Sequence, residues 1–333
     1  VARGDIVPAR AWPYSSRREP PIDRERLPDD VGTRELLRRL FSDDVAAVEP
    51  LAGGVFSRAS GFASDGRRYV LRLSTAPHGA EAFAKDDYAA RLLASGSLPI
   101  PRVVRAGSAD GMQYAITERV AGKTLAACST AERSAALPAV LDTLEAIGRT
   151  DIGGSRGYGL WGADGNAPST SWHAYLAAIV DDEPAGFYRG WRRLFRESFL
   201  ERNVFDTVYR AMLALAVECP DRRELIHEDY QLENILVDED SVSGVIDWAN
   251  AMYGDALYDV ARLAWWSARP GWWYDDGAAI LRDRFGGAPR YDARIACYQC
   301  HMGLNDLRYY AKTDQRAEYE FFRARLLAIA GET

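Results

Sequence analysis

The chain has 333 residues, 47% hydrophobic and 27% charged, with a formal net charge of −7. That is an ordinary globular composition, with enough length for a sizeable core and two lobes. The acidic balance argues against non-specific nucleic-acid binding and suits a cationic small-molecule partner better. No apolar run approaches the roughly 20 residues that span a bilayer, which argues against a membrane partner. The first thirty residues hold no apolar core of the secretory kind, so a cytoplasmic location is expected. Cys128, Cys219, Cys297 and Cys300 are too few and too scattered for a disulfide framework. Composition leaves the oligomeric state open.

Residues 1–30 are rich in Pro and Arg, lack periodicity and read as an irregular arm. The segment 33–41 is helical in pattern. Residues 48–73 read as three strands, the first two separated by a Gly-Gly turn and the third, RRYVLRL, rich in β-branched and aromatic residues. An amphipathic helix follows over 80–95, and 102–120 gives two more strands around an Asp-Gly turn. The pattern then changes. Residues 130–150 read as a helix that Pro138 could kink, and helical stretches follow at 170–181, 187–218, 255–269, 275–285 and 290–330. Only 234–248 interrupts them, as a short hairpin. The expected layout is an N-terminal lobe over 31–120 and a helical C-terminal lobe over 121–333.

The segment LIHEDYQLENILVDEDSVSGVIDWANAMYGDALYDVARL carries the chemistry. It contains His227-x-Asp229, then Asn234 five residues on, then an apolar hairpin ending in Asp247. Phosphoryl transfer needs a carboxylate near the attacking hydroxyl and oxygen ligands for magnesium. One tight loop can supply Asp229 for the first task and Asn234 for the second, and Asp247 can reach the same metal from the following strand. The donors are hard oxygens, which suit Mg2+ better than zinc. Each residue alone would read as a turn residue or a strand cap; the joint spacing H-x-D-x4-N, then I-D-W, then G-D-x3-D is what points to chemistry.

These motifs resemble the aminoglycoside phosphotransferase branch of the protein-kinase-like fold, its hygromycin-type members above all. The resemblance runs over about residues 45–325, through SRASGF, RYVLRL, KDDYAARLLASGSLPIP, GYGLWGADG, HEDYQLENILVD, VIDWANAMYGDALYDVA and GLNDLRYY in order. It implies an α+β, two-lobed fold with a small β-rich N-terminal lobe and a larger, mostly helical C-terminal lobe. The implied reaction moves the γ-phosphoryl group of a nucleoside triphosphate to a hydroxyl of an aminoglycoside of the hygromycin B type. By that resemblance Asp229 serves the substrate hydroxyl, Asn234 and Asp247 hold Mg2+, and His227 and Asp255 are structural in the catalytic loop, with His227 bonded to backbone near Asp247.

On the nucleotide side, the position where kinases carry a phosphate-binding Lys is Arg72, and its partner carboxylate is Asp86 where others carry Glu. Arg binds phosphate bidentately but does not replace Lys neutrally. Gly53, Gly54 and Ser57 would lie over the phosphates, and the Glu118 carbonyl and Val120 amide would meet the adenine edge. These hinge contacts are mainly backbone, so ATP is expected while GTP stays open.

Trp272 and Trp273 are candidate sugar platforms, Asp275 and Asp276 candidate partners for an ammonium, and Asn305 and Asp306 similar candidates. Burial, a helix N-cap and exposed-face polarity are the plain alternatives. Cys297-x-x-Cys300-His301 matches a haem-attachment pattern but lies inside a helical run, which favours core packing. Two other readings stay open: the same chemistry on a nucleoside, a cyclic-peptide antibiotic or a sugar-like metabolite, and a non-catalytic nucleotide-binding regulator.

Overall fold

The computed structural model describes residues 23–51, 57–76, 78–93, 98–182, 186–269 and 273–331. Helix α1 (Asp30–Leu40) starts on Asp29, whose carboxylate accepts the Gly32 amide. Five strands follow, β1 (Ala46–Pro50), β2 (Arg58–Ser64), β3 (Arg67–Ser74), β4 (Val103–Ala109) and β5 (Met112–Glu118), with α2 (Gly79–Leu93) between β3 and β4. They form one antiparallel sheet in the order β1-β2-β3-β5-β4. Both tight hairpins turn on an Asp-Gly pair, Asp65-Gly66 and Asp110-Gly111, with all four residues at positive φ. That twist matches the flanking strands.

Alternation along β3 sorts its side chains. Tyr69, Leu71 and Leu73 join Phe62, Met112, Tyr114 and Ile116, and Leu36 and Leu37 of α1, in an apolar core. Arg72 takes the other face, toward α2.

The rest of the chain gathers around a second core that includes the buried Trp161, Trp172, Trp191, Trp248, Trp265 and Trp266. Here β6 (Lys123–Thr124) precedes α3 (Thr130–Gly148), which begins on a Ser129/Glu132 capping box and continues through Pro138. Then come β7 (Gly159–Leu160), α4 (Trp172–Ala177), α5 (Leu194–Glu197) and α6 (Arg202–Ala216). Strands β8 (Glu224–Ile226), β9 (Ile235–Asp238), β10 (Ser241–Val245) and β11 (Met252–Gly254) lead to α7 (Leu257–Trp266), α8 (Gly277–Phe285), α9 (Tyr291–Lys312) and α10 (Arg316–Gly331). The strands pair as β10-β9-β6 and β7-β11-β8.

Two long helical expectations break up. The stretch 187–218 is a turn with Gly190 left-handed, a 3-10 turn, and the separate α5 and α6. The stretch 290–330 divides between α9 and α10, near Asp314 at φ +54. Strands β6, β7, β8 and β11, two or three residues each, carry too little alternation to be visible in sequence. Of the Pro- and Arg-rich arm, residues 1–22 lie outside the described residues.

Candidate active site

The loop between β8 and β9 is fastened to the end of β10 in both directions. His227 Nε2 lies 3.1 Å from the Ile246 carbonyl, and its Nδ1 accepts the Asp229 amide at 3.2 Å. That pattern requires the neutral ring protonated on Nε2, and burial holds its pKa down at about 3. The Ile246 amide in turn donates to the Asn234 carbonyl at 3.0 Å. His227 therefore sets the distance between the Asp229 loop and the residue before Asp247.

Asp229 is only 7% exposed. Asn234 Nδ2 donates to its backbone carbonyl at 2.9 Å and to its carboxylate Oδ2 at 3.1 Å. With the amide nitrogen so committed, the Asn234 Oδ1 is the atom that can ligate a cation. Asp247 is exposed and left-handed, at φ +65. An exposed carboxylate and a neutral amide oxygen on adjoining loops are hard donors, a set that fits magnesium with water and phosphate filling its remaining positions.

The residues expected on the nucleotide side, Arg72 and Asp86, connect the first sheet to the segment that carries Asp247. Arg72 Nη2 meets Asp86 Oδ2 at 2.5 Å. Burial opposes the Arg72 charge, but Asp86 and then Asp247 outweigh it and hold the pKa above its ordinary value. The other Asp86 oxygen accepts the amide of Trp248 at 2.8 Å. One carboxylate thus joins β3 of the small lobe to the residue after Asp247.

Glu118 ends β5, its amide bonded to the Arg102 carbonyl and its carboxylate paired with Arg102 at 2.7 Å. Val120 follows half-buried in the connection to β6, and Ser57 lies half-buried just before β2. Gly53 and Gly54 lie outside the described residues.

Asp255 departs from its expected place. Its carboxylate is fully buried and pairs with Arg294 of α9 at 2.7 and 2.5 Å and with the Tyr298 hydroxyl, so it ties the start of α7 to α9 and not to the catalytic loop. The loop is held by Asp259, four residues on. Asp259 accepts the His227 and Glu228 amides, each at 2.8 Å. It is the second acid of the G-D-x3-D spacing, so its signal was present in the sequence. Two further members were not legible: Glu228, at φ +70, and its buried partner Arg262.

The acceptor candidates are not brought together. Trp273 is 2% exposed and packs in the helical core against Tyr274, so it offers no open platform. Asp306 is fully buried, with Oδ2 accepting the Trp265 indole at 2.8 Å and Oδ1 without a hydrogen-bond partner. Burial pushes its pKa well up, toward the neutral acid. That geometry does not suit contact with an ammonium. Asn305 bonds Arg308 on its own helix at 2.9 Å. Asp275 and Asp276 are exposed ahead of α8, where Asp276 takes the N-cap position without a side-chain bond. Trp272 lies outside the described residues. Cys297 and Cys300 are buried in α9, and His301 Nδ1 lies 3.0 Å from the Tyr258 hydroxyl, a packing role for the haem-like pattern.

A curated relative, hygromycin-B 4-O-kinase of Escherichia coli, is 34% identical over 225 residues, 67% of this chain. The match spans 63% of that enzyme's own length. Among solved structures, a thermostable mutant of aminoglycoside phosphotransferase APH(4)-Ia, in ternary complex with AMP-PNP and hygromycin B, is 29% identical. It superposes with a TM-score of 0.79 over 90% of this chain and 98% of that one. The gentamicin complex of APH(2")-IIa, at 16% identity, shares the fold, with a TM-score of 0.63 over 90% of this chain and 97% of that one. The phosphotransferase enzyme family, APH, matches residues 47–295. The chain belongs to that family and has its two-lobed, protein-kinase-like α+β fold.

Proposed function

We propose that this protein is an antibiotic-inactivating kinase, transferring the γ-phosphoryl group of ATP to a hydroxyl of an aminoglycoside of the hygromycin B class. The observation that carries the reading is the fastening of Asp229: Asn234 holds its carboxylate, and His227 ties its amide to the strand end before Asp247. Similarity to a curated hygromycin-B kinase supports the acceptor class, and the net charge of −7 suits attraction of a polycation.

In this reading Asp229 orients the acceptor hydroxyl and takes its proton as the new P–O bond forms. The breaking bond joins the γ-phosphorus to the β–γ bridging oxygen, which leaves with ADP. Arg72, held by Asp86, binds phosphate oxygens. Gly53, Gly54 and Ser57 are the residues we assign to binding the phosphates, and Glu118 and Val120 offer backbone groups to the adenine edge. Asn234 and Asp247 would hold Mg2+, which when bound neutralises charge on the phosphates. The remainder of the rate comes from positioning. Asp275, Asp276, Asn305 and Trp272 remain candidates for the acceptor side. The domain division follows the same logic, with residues 31–120 serving the nucleotide and 121–333 carrying the catalytic loop and acceptor site.

The test is ADP release with MgATP and a panel of aminoglycosides, with nucleosides, cyclic peptides and sugars as contrasts, and mass spectrometry to locate the phosphate. Turnover is expected with hygromycin B or a near relative. Asp229→Asn should cut kcat by about 100- to 10,000-fold while ATP binding persists. No turnover on any aminoglycoside would overturn the acceptor class, and undiminished turnover by Asp229→Asn would overturn the mechanism.

A further inference from the structure

Glu228 stands between the two most constrained residues of the site, His227 and Asp229, in a conformation that suits glycine. Its φ of +70 is left-handed, where a residue with a Cβ pays in free energy. A long acidic side chain at such a place calls for a reason, and α7 provides one. Asp259 and Arg262 are three residues apart, so they share a helix face. Asp259 takes the amides of His227 and Glu228 at 2.8 Å each. Arg262 takes the Glu228 carboxylate, in a pair whose side chains are 2% and 11% exposed. One face of one helix therefore grips both the backbone and the side chain of residue 228.

Arg262 is itself confined. Its guanidinium carbon lies 5.7 Å from the ring centre of Tyr258 and 5.5 Å from that of Trp266, one turn before and one turn after it on α7. A buried ion pair is often no more stabilising than a well-packed apolar pair of the same volume. Added stability is therefore a poor explanation for keeping one at a strained position. What such a pair supplies is direction.

We infer that Glu228 and Arg262 are a positioning pair for phosphoryl transfer: the buried bridge from α7 fixes the left-handed turn at residue 228 and thereby the direction in which Asp229 faces the reacting oxygen. Neither residue is a catalytic residue in this account; both act through Asp229. The inference rests on the phosphotransfer reading above and assigns the site two residues that the H-x-D pattern leaves unspecified.

The experiment compares wild type with E228G, R262M, the double variant E228G/R262M, and R262K. Glycine keeps the turn without the carboxylate, and the double variant removes both charges of the bridge together. Thermal melting reads folding, and steady-state kinetics with MgATP and hygromycin B read kcat and both KM values. MgATP hydrolysis without acceptor is followed alongside. A positioning role predicts that the double variant melts within a few degrees of wild type, keeps KM for MgATP within about twofold, and loses kcat tenfold or more. R262K, which keeps the charge but not the reach, is expected to lose kcat at least threefold at unchanged KM. A folded double variant with wild-type kcat overturns the inference; should the double variant not fold, wild-type kcat in R262K overturns it. A wild type that hydrolyses MgATP but phosphorylates no aminoglycoside overturns the acceptor assignment alone, and the pair is then judged by the same split in hydrolysis. A wild type with neither activity overturns both.

Discussion

Asp86 has two partners, and different substitutions remove them to different degrees. One oxygen holds Arg72, the other holds the Trp248 amide next to Asp247. Arg72→Lys keeps a cation near the phosphates but loses the planar fork, and a rise of severalfold in KM for ATP is expected. Asp86→Asn retains an acceptor for the amide and loses the charge that partners Arg72. Asp86→Ala loses both and leaves the half-buried Arg72 guanidinium without its hydrogen-bonded carboxylate, the costly outcome for such a pair. The expected order of kcat/KM for ATP is wild type, then Asp86→Asn lower by about tenfold, then Asp86→Ala lower by about a hundredfold. Steady-state kinetics at varied ATP checks the order, and equal losses in both variants would reduce Asp86 to a partner of Arg72 alone. The Arg72–Asp86 pairing was legible through the family resemblance, which sets RYVLRL and KDDY at the positions where kinases carry the Lys and Glu of that pair. The Trp248 bond was not, since 162 residues separate its partners and no local spacing encodes it.

At the scale of elements, the hairpin that presents Asn234 and Asp247 depends on a third, two-residue strand. β6 pairs with β9 through Lys123↔Val237 and Thr124↔Leu236. The approach to β6 passes Gly122 at φ +92, where a Cβ would stand 2.1 Å from the Val237 carbonyl oxygen. Gly122→Ala meets both a left-handed backbone and a backbone atom that cannot swing aside, so a loss of about 2–4 kcal/mol is expected, read as a lowered melting temperature and a weakened ATP site. A melting temperature unchanged from wild type would show that β6 is not needed to hold the hairpin. The long strands of the first sheet and helices α2, α3 and α7 could be read from periodicity. β6 could not, and nor could the breaks within 187–218 and 290–330. There the chain turns at single left-handed residues, Gly190 and Asp314, inside sequence that otherwise favours helix. The expectation of an open platform at Trp273 failed for a related reason. A Trp in the core and a Trp on a platform have the same sequence, and only packing separates them, as it does for Trp273.

For the whole molecule, buried titratable groups of opposite sign set the acid behaviour. Burial holds His227 and His301 at about 3 against an ordinary 6.5. As pH falls below 6.5 the unfolded chain takes up these protons first, so each histidine contributes stability that is present above 6.5 and lost progressively down to about 3. Burial acts the other way on Asp259, pushed up to about 7 from 3.8 although two backbone amides favour its carboxylate, and on Asp306, also pushed up. For these the fold takes the proton first. Their contribution is fully present below 3.8 and is lost as pH rises, for Asp259 through about 7. Between about pH 6.5 and 4 Asp259 offsets one histidine at about 1.4 kcal/mol per unit, and Asp306 acts in the same direction as Asp259. Below about 4 the histidines are joined by carboxylates that hydrogen bonds hold low in the fold, such as Glu132 at about 2. Urea unfolding across this range should therefore show a shallower dependence of stability on pH above about 4 than beneath it. His301→Gln removes one histidine from the balance without touching the catalytic loop. Its stability is expected to rise relative to wild type as pH falls from 6.5 toward 4. Parallel curves for the two proteins would mean that His301 does not stay neutral in the fold, and that the Tyr258 hydroxyl, 3.0 Å from its Nδ1, accepts rather than donates.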